Sequence, residues 1–148
     1  MSLEIIISDA IKDAMRAKDK VALDALRAVK SQILLLKTEA VGAEVSAEQE
    51  IAILQRMIKQ RKDSYDQFTA QNRSDLAEVE EAQSKVIEKY LPQQLSAEEL
   101  ETEMKAIIAQ TGAESAKDIG KVMGMASKNL AGKSDGKSIS DMAKKLLS

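Results

Sequence analysis

Apolar residues recur at helical spacing along almost the whole chain, and a single proline, Pro92, interrupts the pattern. Spacings of i, i+3 and i+4 place apolar side chains on one face of a helix, and no stretch alternates convincingly enough to predict a strand. Aromatic residues, which favour strands, make up only 2% of the 148 residues. We therefore predict an all-α protein.

Pro92 also suggests how this helical chain divides. Proline has no backbone donor and disfavours helix at the preceding residue, so YLPQQLS (residues 90–96) is the best candidate for a domain junction. The sequence thus predicts an N-terminal helical domain of about four helices over residues 1–92 and a small three-helix module over residues 93–148.

Polar residues and glycines mark the expected helix ends. The first two helices are predicted at residues 2–18 and 20–41. In a capping box, a Ser side chain and a Glu or Gln three residues later satisfy amide hydrogens at a helix start, and glycine often ends a helix. The predicted caps and stops are Asp19, Gly42, Ser46 with Gln49, Asn72 or Ser74, Ser96 with Glu99, Gly112, and Ser115 with Asp118.

Cysteine and histidine are both absent. Their absence removes disulfides, thiolate nucleophiles, imidazole bases and the zinc sites that need either residue. Groups of acidic residues are interpreted as solubilising charges, because consecutive carboxylates on a helix point in different directions. We predict a non-enzymatic protein with no catalytic residue, no metal and no cofactor.

The start of the chain, MSLEIIISDAIKDAM, has an apolar run of only three residues and does not resemble a secretory signal. Nothing later approaches the roughly 18 apolar residues of a membrane span. We therefore expect a soluble cytoplasmic protein that has no membrane partner.

Charge is distributed unevenly along the chain. Residues 1–114 carry a net charge of -6, whereas residues 115–148 carry seven Lys and three Asp, a net charge of +4. The C-terminal segment is therefore predicted to be a basic module attached to an acidic body.

The stretch AGKSDGK, residues 131–137, contains two glycines and two lysines. Its Gly-Lys-Ser resembles the end of a P-loop, but position 127 is Ser instead of the required Gly, and no strand precedes it. The simplest interpretation is a helix stop at Gly132, a turn through Asp135 and Gly136, and a helix start at residues 137–138. The first amides of that helix, flanked by Lys133 and Lys137, would also suit a phosphate.

The helix before this loop has two distinct faces on a wheel of about 100° per residue. The predicted core face carries Ile119, Val122, Met123, Ala126 and Leu130. The opposite face carries Lys117, Lys121, Gly124 and Lys128, with Gly120 beside it. Each helical glycine costs about 1 kcal/mol relative to Ala, so close approach of another backbone is expected to compensate, either a packed helix inside the module or a nucleic-acid strand.

A second basic cluster consists of Arg56, Lys59, Arg61 and Lys62 in the predicted third helix. Such runs are usually solvated faces, and Asp63 and Asp66 are close enough in sequence to balance this one. Contact with a partner is the alternative.

Several stretches resemble the YqeY-like proteins of the GatB/YqeY superfamily. They are LRAVKSQILLLKTE (26–39), IKQRKDSYDQF (58–68), EKYLPQQLSAEEL (88–100), TGAESAKDIGKVMG (111–124) and LAGKSDGK (130–137). The resemblance implies a helical N-terminal domain followed by a small domain similar to the tail of the tRNA amidotransferase B subunit. Such a tail also occurs on some glutaminyl-tRNA synthetases, where it helps to hold tRNA.

Carried over by motif, the resemblance implies an RNA-binding surface, to which the lysine face adds Lys117. The expected RNA-binding residues are Lys117, Gly120, Lys121, Gly124, Lys128, Gly132, Lys133, Gly136 and Lys137. We expect a non-catalytic accessory module whose C-terminal domain contacts the backbone of tRNA. The alternatives are a protein adaptor that docks on a tRNA-handling enzyme and, third, an enzyme that transfers amide nitrogen as a carbon-nitrogen ligase.

Overall fold

The structure is a computed structural model that describes residues 2–39 and 44–148, and those ranges contain helices and no strand. The all-α prediction is confirmed. The chain divides into two compact units, one ending at Leu91 and the other running from Pro92 to Ser148.

The described residues of the first unit form four helices. They are α1 (Leu3–Ala17), α2 (Lys20–Glu39), α3 (Ala47–Ala70) and α4 (Ser74–Glu88). Helix α2 packs against the other three, and α3 packs along α4. The largest fully buried side chains of this core are Ile7, Val29, Ile33, Leu54 and Ile87. Burying each such side chain contributes about 1.5–3 kcal/mol, so this core holds the four helices together.

The second unit contains three helices and a short 3₁₀ turn. They are α5 (Ala97–Thr111), the 3₁₀ turn Ala116–Asp118, α6 (Ile119–Asn129) and α7 (Gly136–Leu147). Each of the three helices contacts the other two. Their shared core includes Leu100, Met104, Val122, Ile139 and Leu147. Helix α6 is therefore fixed by one apolar face between α5 and α7.

Most of the predicted caps are confirmed. Ser46 with Gln49 and Ser96 with Glu99 form complete capping boxes. Asp19 Oδ1 accepts a hydrogen bond from the Ala22 amide at 3.1 Å. These contacts span only three residues, which is why the sequence is sufficient to predict them.

The predicted cap of α4 is wrong. Arg73 occupies the N-cap position, and neither Asn72 nor Ser74 provides a side-chain cap. Asn72 instead has a φ of 58°, in the left-handed region, and the Arg73 amide donates to the Phe68 carbonyl at 2.8 Å. Asn72 therefore ends α3, because Asn tolerates the left-handed conformation better than most residues.

Two further predicted helix boundaries are the end of the second helix and the start of α6. The predicted end of the second helix at Val41, with its stop at Gly42, lies outside the described residues. Ser115 does cap, but it accepts from the Lys117 amide at 3.4 Å and opens the 3₁₀ turn instead of an α-helix. The turn delays the start of α6 to Ile119.

Candidate nucleic-acid interface

Helix α6 presents an apolar face to the core and a polar face to solvent. Val122 and Ala126 are fully buried. Lys121, Gly124 and Lys128 are exposed. The predicted wheel is confirmed for these residues. Lys117, however, lies in the 3₁₀ turn before α6, so it precedes the helical lysine face and does not extend it.

Asp118 is the N-cap residue of α6, but its side chain bonds to the segment that precedes the helix and makes no cap bond to α6. Its carboxylate accepts a hydrogen bond from the Glu114 amide at 3.0 Å. This bond holds the pKa of Asp118 below its usual value, and the nearby positive charge of Lys121 adds a smaller effect in the same direction. The bond therefore links the two ends of the turn that carries Lys117.

The two glycines of α6 face open space. A Cβ atom built at Gly120 or at Gly124 would meet no side chain or neighbouring backbone of the described chain within 4 Å. Close helix packing inside the module, which the sequence suggested as one reason for these glycines, is therefore wrong. Their backbone lies accessible beside Lys121 and is free to be approached from outside this unit.

This geometry predicts that Gly120→Ala and Gly124→Ala will each raise the free energy of unfolding by about 0.5–1 kcal/mol, because alanine is the better helix former and meets no obstacle. Denaturant unfolding measures the change. Gly112→Ala is the matched control, since a Cβ there also meets open space but the backbone φ is 71°. The control should lose about 1–2 kcal/mol, and a loss at the two α6 positions as well would contradict the assignment.

The loop AGKSDGK is held by residues that precede α5. The side-chain amide of Gln94 donates to the carbonyls of Pro92 and Gly132, and the Leu95 amide donates to the Lys133 carbonyl at 2.8 Å. Gly132 is itself buried with a φ of 77°. Its role is thus conformational. Sequence reasoning missed Gln94 and Leu95, because these contacts join positions 38 residues apart.

The start of α7 differs from the prediction. The helix begins at Gly136, and Asp135 is its N-cap, accepting from the Ser138 amide at 2.6 Å. Gly136 is therefore a helix residue and not part of a preceding turn. The Asp135 carboxylate already accepts a hydrogen bond from the Ser138 amide, and its negative charge repels a phosphate at the same place. Any phosphate bound here is expected to contact the Lys133 and Lys137 side chains instead.

The P-loop interpretation of this segment is wrong. Gly132, Lys133 and Ser134 follow helix α6, whereas a P-loop follows a strand, and residues 2–39 and 44–148 contain no strand. The segment is a helix-to-helix connection.

Charge is polarised within the second unit. Residues 92–148 contain eight Lys and eight Asp or Glu, so the unit is neutral although residues 115–148 are basic. Helix α5 supplies half of the carboxylates, and Lys105 pairs with Glu101 at 3.4 Å. All residues of this unit are described, and its other seven lysines are exposed and have no ion pair: Lys117, Lys121, Lys128, Lys133, Lys137, Lys144 and Lys145.

The second basic cluster is not balanced as predicted. Arg56 donates to the Gln32 side chain at 2.9 Å, and Arg61 donates to the Gln83 side chain at 3.2 Å. Lys62 lies 3.7 Å from Glu88. The partners come from α2 and α4, so Asp63 and Asp66 are not the residues that compensate this cluster.

Among the residues that the structure describes, no helix is both long and apolar enough to cross a membrane.

Several fungal proteins are similar to this chain. It is 36% identical over 95 residues to the protein named altered inheritance of mitochondria protein 41, mitochondrial, from Lachancea thermotolerans, covering 64% of this chain and 51% of the relative. It is 29% identical over 125 residues to the protein of the same name from Pyrenophora tritici-repentis, covering 83% and 68%. The Saccharomyces cerevisiae protein is 31% identical over 88 residues, covering 60% and 48%. The chain thus spans about half the length of most of these curated relatives.

The names of these relatives contradict the predicted cytoplasmic location, which is wrong. Each relative is named as a mitochondrial protein. A sequence that resembles neither a secretory signal nor a membrane span fits an organellar protein as well as a cytoplasmic one.

A protein-family comparison covers both units. The model described as Yqey-like protein matches residues 5–147. This range includes α2 to α7, all but the first two residues of α1, the lysine face of α6 and the AGKSDGK loop. The chain therefore belongs to the YqeY-like family.

Proposed function

We propose that the second unit binds tRNA, a structured RNA, through its phosphate backbone, and that the protein acts as a non-catalytic accessory module. The observation that carries this proposal is the exposed backbone at Gly120 and Gly124, which no part of the described chain covers, beside lysines that have no carboxylate partner. Missing side chains permit close approach, and free ammonium groups attract phosphates.

The composition of the unit supports backbone recognition over base recognition. Residues 92–148 contain no Arg and no aromatic residue. Bidentate guanine contacts use Arg most often, and single-stranded bases usually stack on aromatic rings. Lysines on a helical surface instead contact phosphates and respond to the shape of the RNA.

The spacing of the lysines fits a folded RNA surface. Lys121 and Lys128 are seven residues apart on α6, which separates their Cα atoms by about 10 Å along the helix axis. Lys133 and Lys137 follow from the loop and the first turn of α7. The hydrogen bonds from Gln94 and Leu95 hold the loop backbone, so less entropy is lost when its lysines contact a ligand.

The proposal is tested by measuring binding of the purified full chain to bulk tRNA over a series of salt concentrations, with duplex DNA as the control. We expect selective tRNA binding. The logarithm of the association constant should fall against the logarithm of the salt concentration with a slope of about -2 to -4, as three to five lysines release counterions. Gly124→Ala should weaken binding although it stabilises the helix. Absence of tRNA binding at low salt, or equal binding to DNA, would overturn the proposal.

A protein adaptor is the second candidate function. The exposed backbone at Gly120 and Gly124 would also let a helix of a tRNA-handling enzyme pack closely on α6. The acidic α5 offers a surface whose charge is opposite to that of the lysine face. Recovery of a synthetase or amidotransferase subunit by the full chain after nuclease treatment would favour this function. Loss of that recovery after nuclease treatment would favour RNA binding instead.

A further inference from the structure

A groove lined mainly by charged residues lies between α3 and α4 of the first unit, whereas the residues assigned to RNA belong to the second unit. Its volume is about 260 Å³. Helix α3 contributes Arg61, Lys62 and Tyr65, and helix α4 contributes Ser84 and Lys85. Two carboxylates, Glu81 and Glu88, complete its edges. The groove is smaller than most sites for drug-sized ligands, so it suits a compact group.

Ser84 is the unusual residue of this groove. Its side chain lines the groove, yet Ser84 is only 4% exposed. Among the described residues, its hydroxyl is the one buried side-chain polar atom that has no hydrogen-bond partner. An unsatisfied buried hydroxyl is costly, and native structures usually retain one only where a partner is missing from the chain itself.

Arg61 supplies a cation to the same groove. It is half-buried, and its guanidinium donates to the Gln83 side chain at 3.2 Å and to the Met57 carbonyl at 3.3 Å. Both acceptors are neutral, and no carboxylate of the described chain pairs with Arg61. The guanidinium has five N–H donors, so three remain available in a held orientation.

The other charges of the groove already have partners. Lys62 lies 3.7 Å from Glu88, and Lys85 lies 3.3 Å from Glu81. These pairs are largely exposed and therefore weak, so either ammonium can turn toward an incoming anion. With three cations against two carboxylates, the lining keeps one excess positive charge, which is that of Arg61.

We propose that this groove binds the phosphate group of a small molecule. The phosphate oxygens accept hydrogen bonds from the Arg61 guanidinium and, after its side chain rotates toward the groove, from the Ser84 hydroxyl, with Lys62 and Lys85 at the edges. A phosphate has more acceptor oxygens than a carboxylate and can satisfy these several donors together. The small volume and the two flanking carboxylates favour one compact anion over a polyanionic strand.

The test uses the full chain titrated with inorganic phosphate at constant ionic strength, with chloride as the replacement salt. Thermal unfolding should shift to higher temperature with phosphate, and amide resonances should move in residues 57–65 and 81–88. Arg61→Gln should weaken phosphate binding about tenfold or more, because a hydrogen bond to a charged group is lost. Arg56→Gln is the matched control, since Arg56 also lies on α3 but bonds to Gln32 of α2 outside the groove.

Ser84→Ala separates binding from folding. Without phosphate, this variant should unfold at a higher temperature than wild type, because the unsatisfied hydroxyl is gone, yet it should gain less from phosphate. If Arg61→Gln does not fold, Arg61→Lys, which keeps the charge but loses the planar fork, should still show weakened binding.

Three outcomes would overturn the inference: resonance shifts outside the groove, equal responses of Arg61→Gln and Arg56→Gln, or a stronger response to acetate than to phosphate. A groove that responds to tRNA but not to inorganic phosphate would also overturn it, and would assign these residues to an RNA surface. Because the groove lies in the first unit, failure here leaves the proposal for the second unit untouched.

Discussion

Replacing Lys121, Lys133 and Lys137 together with Glu should weaken tRNA binding by about a hundredfold or more. Each substitution removes a hydrogen bond from a charged donor, worth about 1.5–3 kcal/mol, and adds a repulsive charge. The slope of log affinity against log salt should flatten by about two to three, as three phosphate contacts are lost. All three side chains are exposed, so the circular dichroism of the helices should not change.

The control for this triple variant replaces Lys105, Lys144 and Lys145 of the same unit with Glu, so the net charge changes by the same amount. These side chains are also exposed, and the last two lie in the final turn of α7. Glu at a helix C-terminus is unfavourable, so the control should be the less stable of the two proteins. It should nevertheless bind tRNA better than the test variant. Equal losses would indicate a general charge effect, and wild-type binding by the test variant would show that the assigned surface is wrong.

Met104→Ala should destabilise the second unit by about 2–5 kcal/mol. Met104 has no exposed surface and packs in the core formed by α5, α6 and α7. The substitution removes transfer free energy and leaves a cavity that the neighbours fill only partly. A unit of 57 residues has a small stability margin, so this loss should leave much of it unfolded.

Hydrogen exchange resolved by residue measures this effect. Protection should fall in α5, α6 and α7 and persist at the buried residues of the first unit, such as Ile33 and Ile87. Met15→Ala is the matched control, because it makes the same chemical change at a side chain that is 54% exposed. It should cost less than about 1 kcal/mol. Uniform loss of protection across both units would contradict the assignment of two separate cores.

The two predictions test different properties of α6. Lysine reversal leaves Val122 and Ala126 packed and removes the charged face, whereas Met104→Ala leaves the lysines in place and removes the core that orients them. Loss of binding in the first variant without loss of structure would therefore assign the interaction to the lysine face.

The candidate site residues show which features can be predicted from local sequence. The opposition of Val122 and Ala126 to Lys121 and Lys128 follows from the helical repeat and is confirmed. The helical repeat does not explain why Gly120 and Gly124 are glycines, because two glycines four residues apart fit internal helix packing as well as an exposed surface. In the structure both positions face open space, so they belong to an exposed surface.

Contacts between distant residues were likewise absent from the sequence pattern. Arg61 was expected to be balanced by acidic residues on its own helix, yet it bonds to Gln83 of α4. Gln94 and Leu95 were assigned to a junction, yet they bond to the backbone of the AGKSDGK loop. No periodicity encodes such pairs, because they depend on which helices pack together.

The helical class, the capping boxes at Ser46 and Ser96 and the stop at Gly112 can be predicted from local sequence, because these depend on hydrogen bonds and backbone preferences within one turn. Which apolar residues are covered depends on the packing of the helices. Ile6 and Met15 of α1 and Leu34 of α2 are apolar but are 37%, 54% and 43% exposed. Burial depends on the neighbouring helices that surround a residue, and only packing of the whole unit establishes those neighbours.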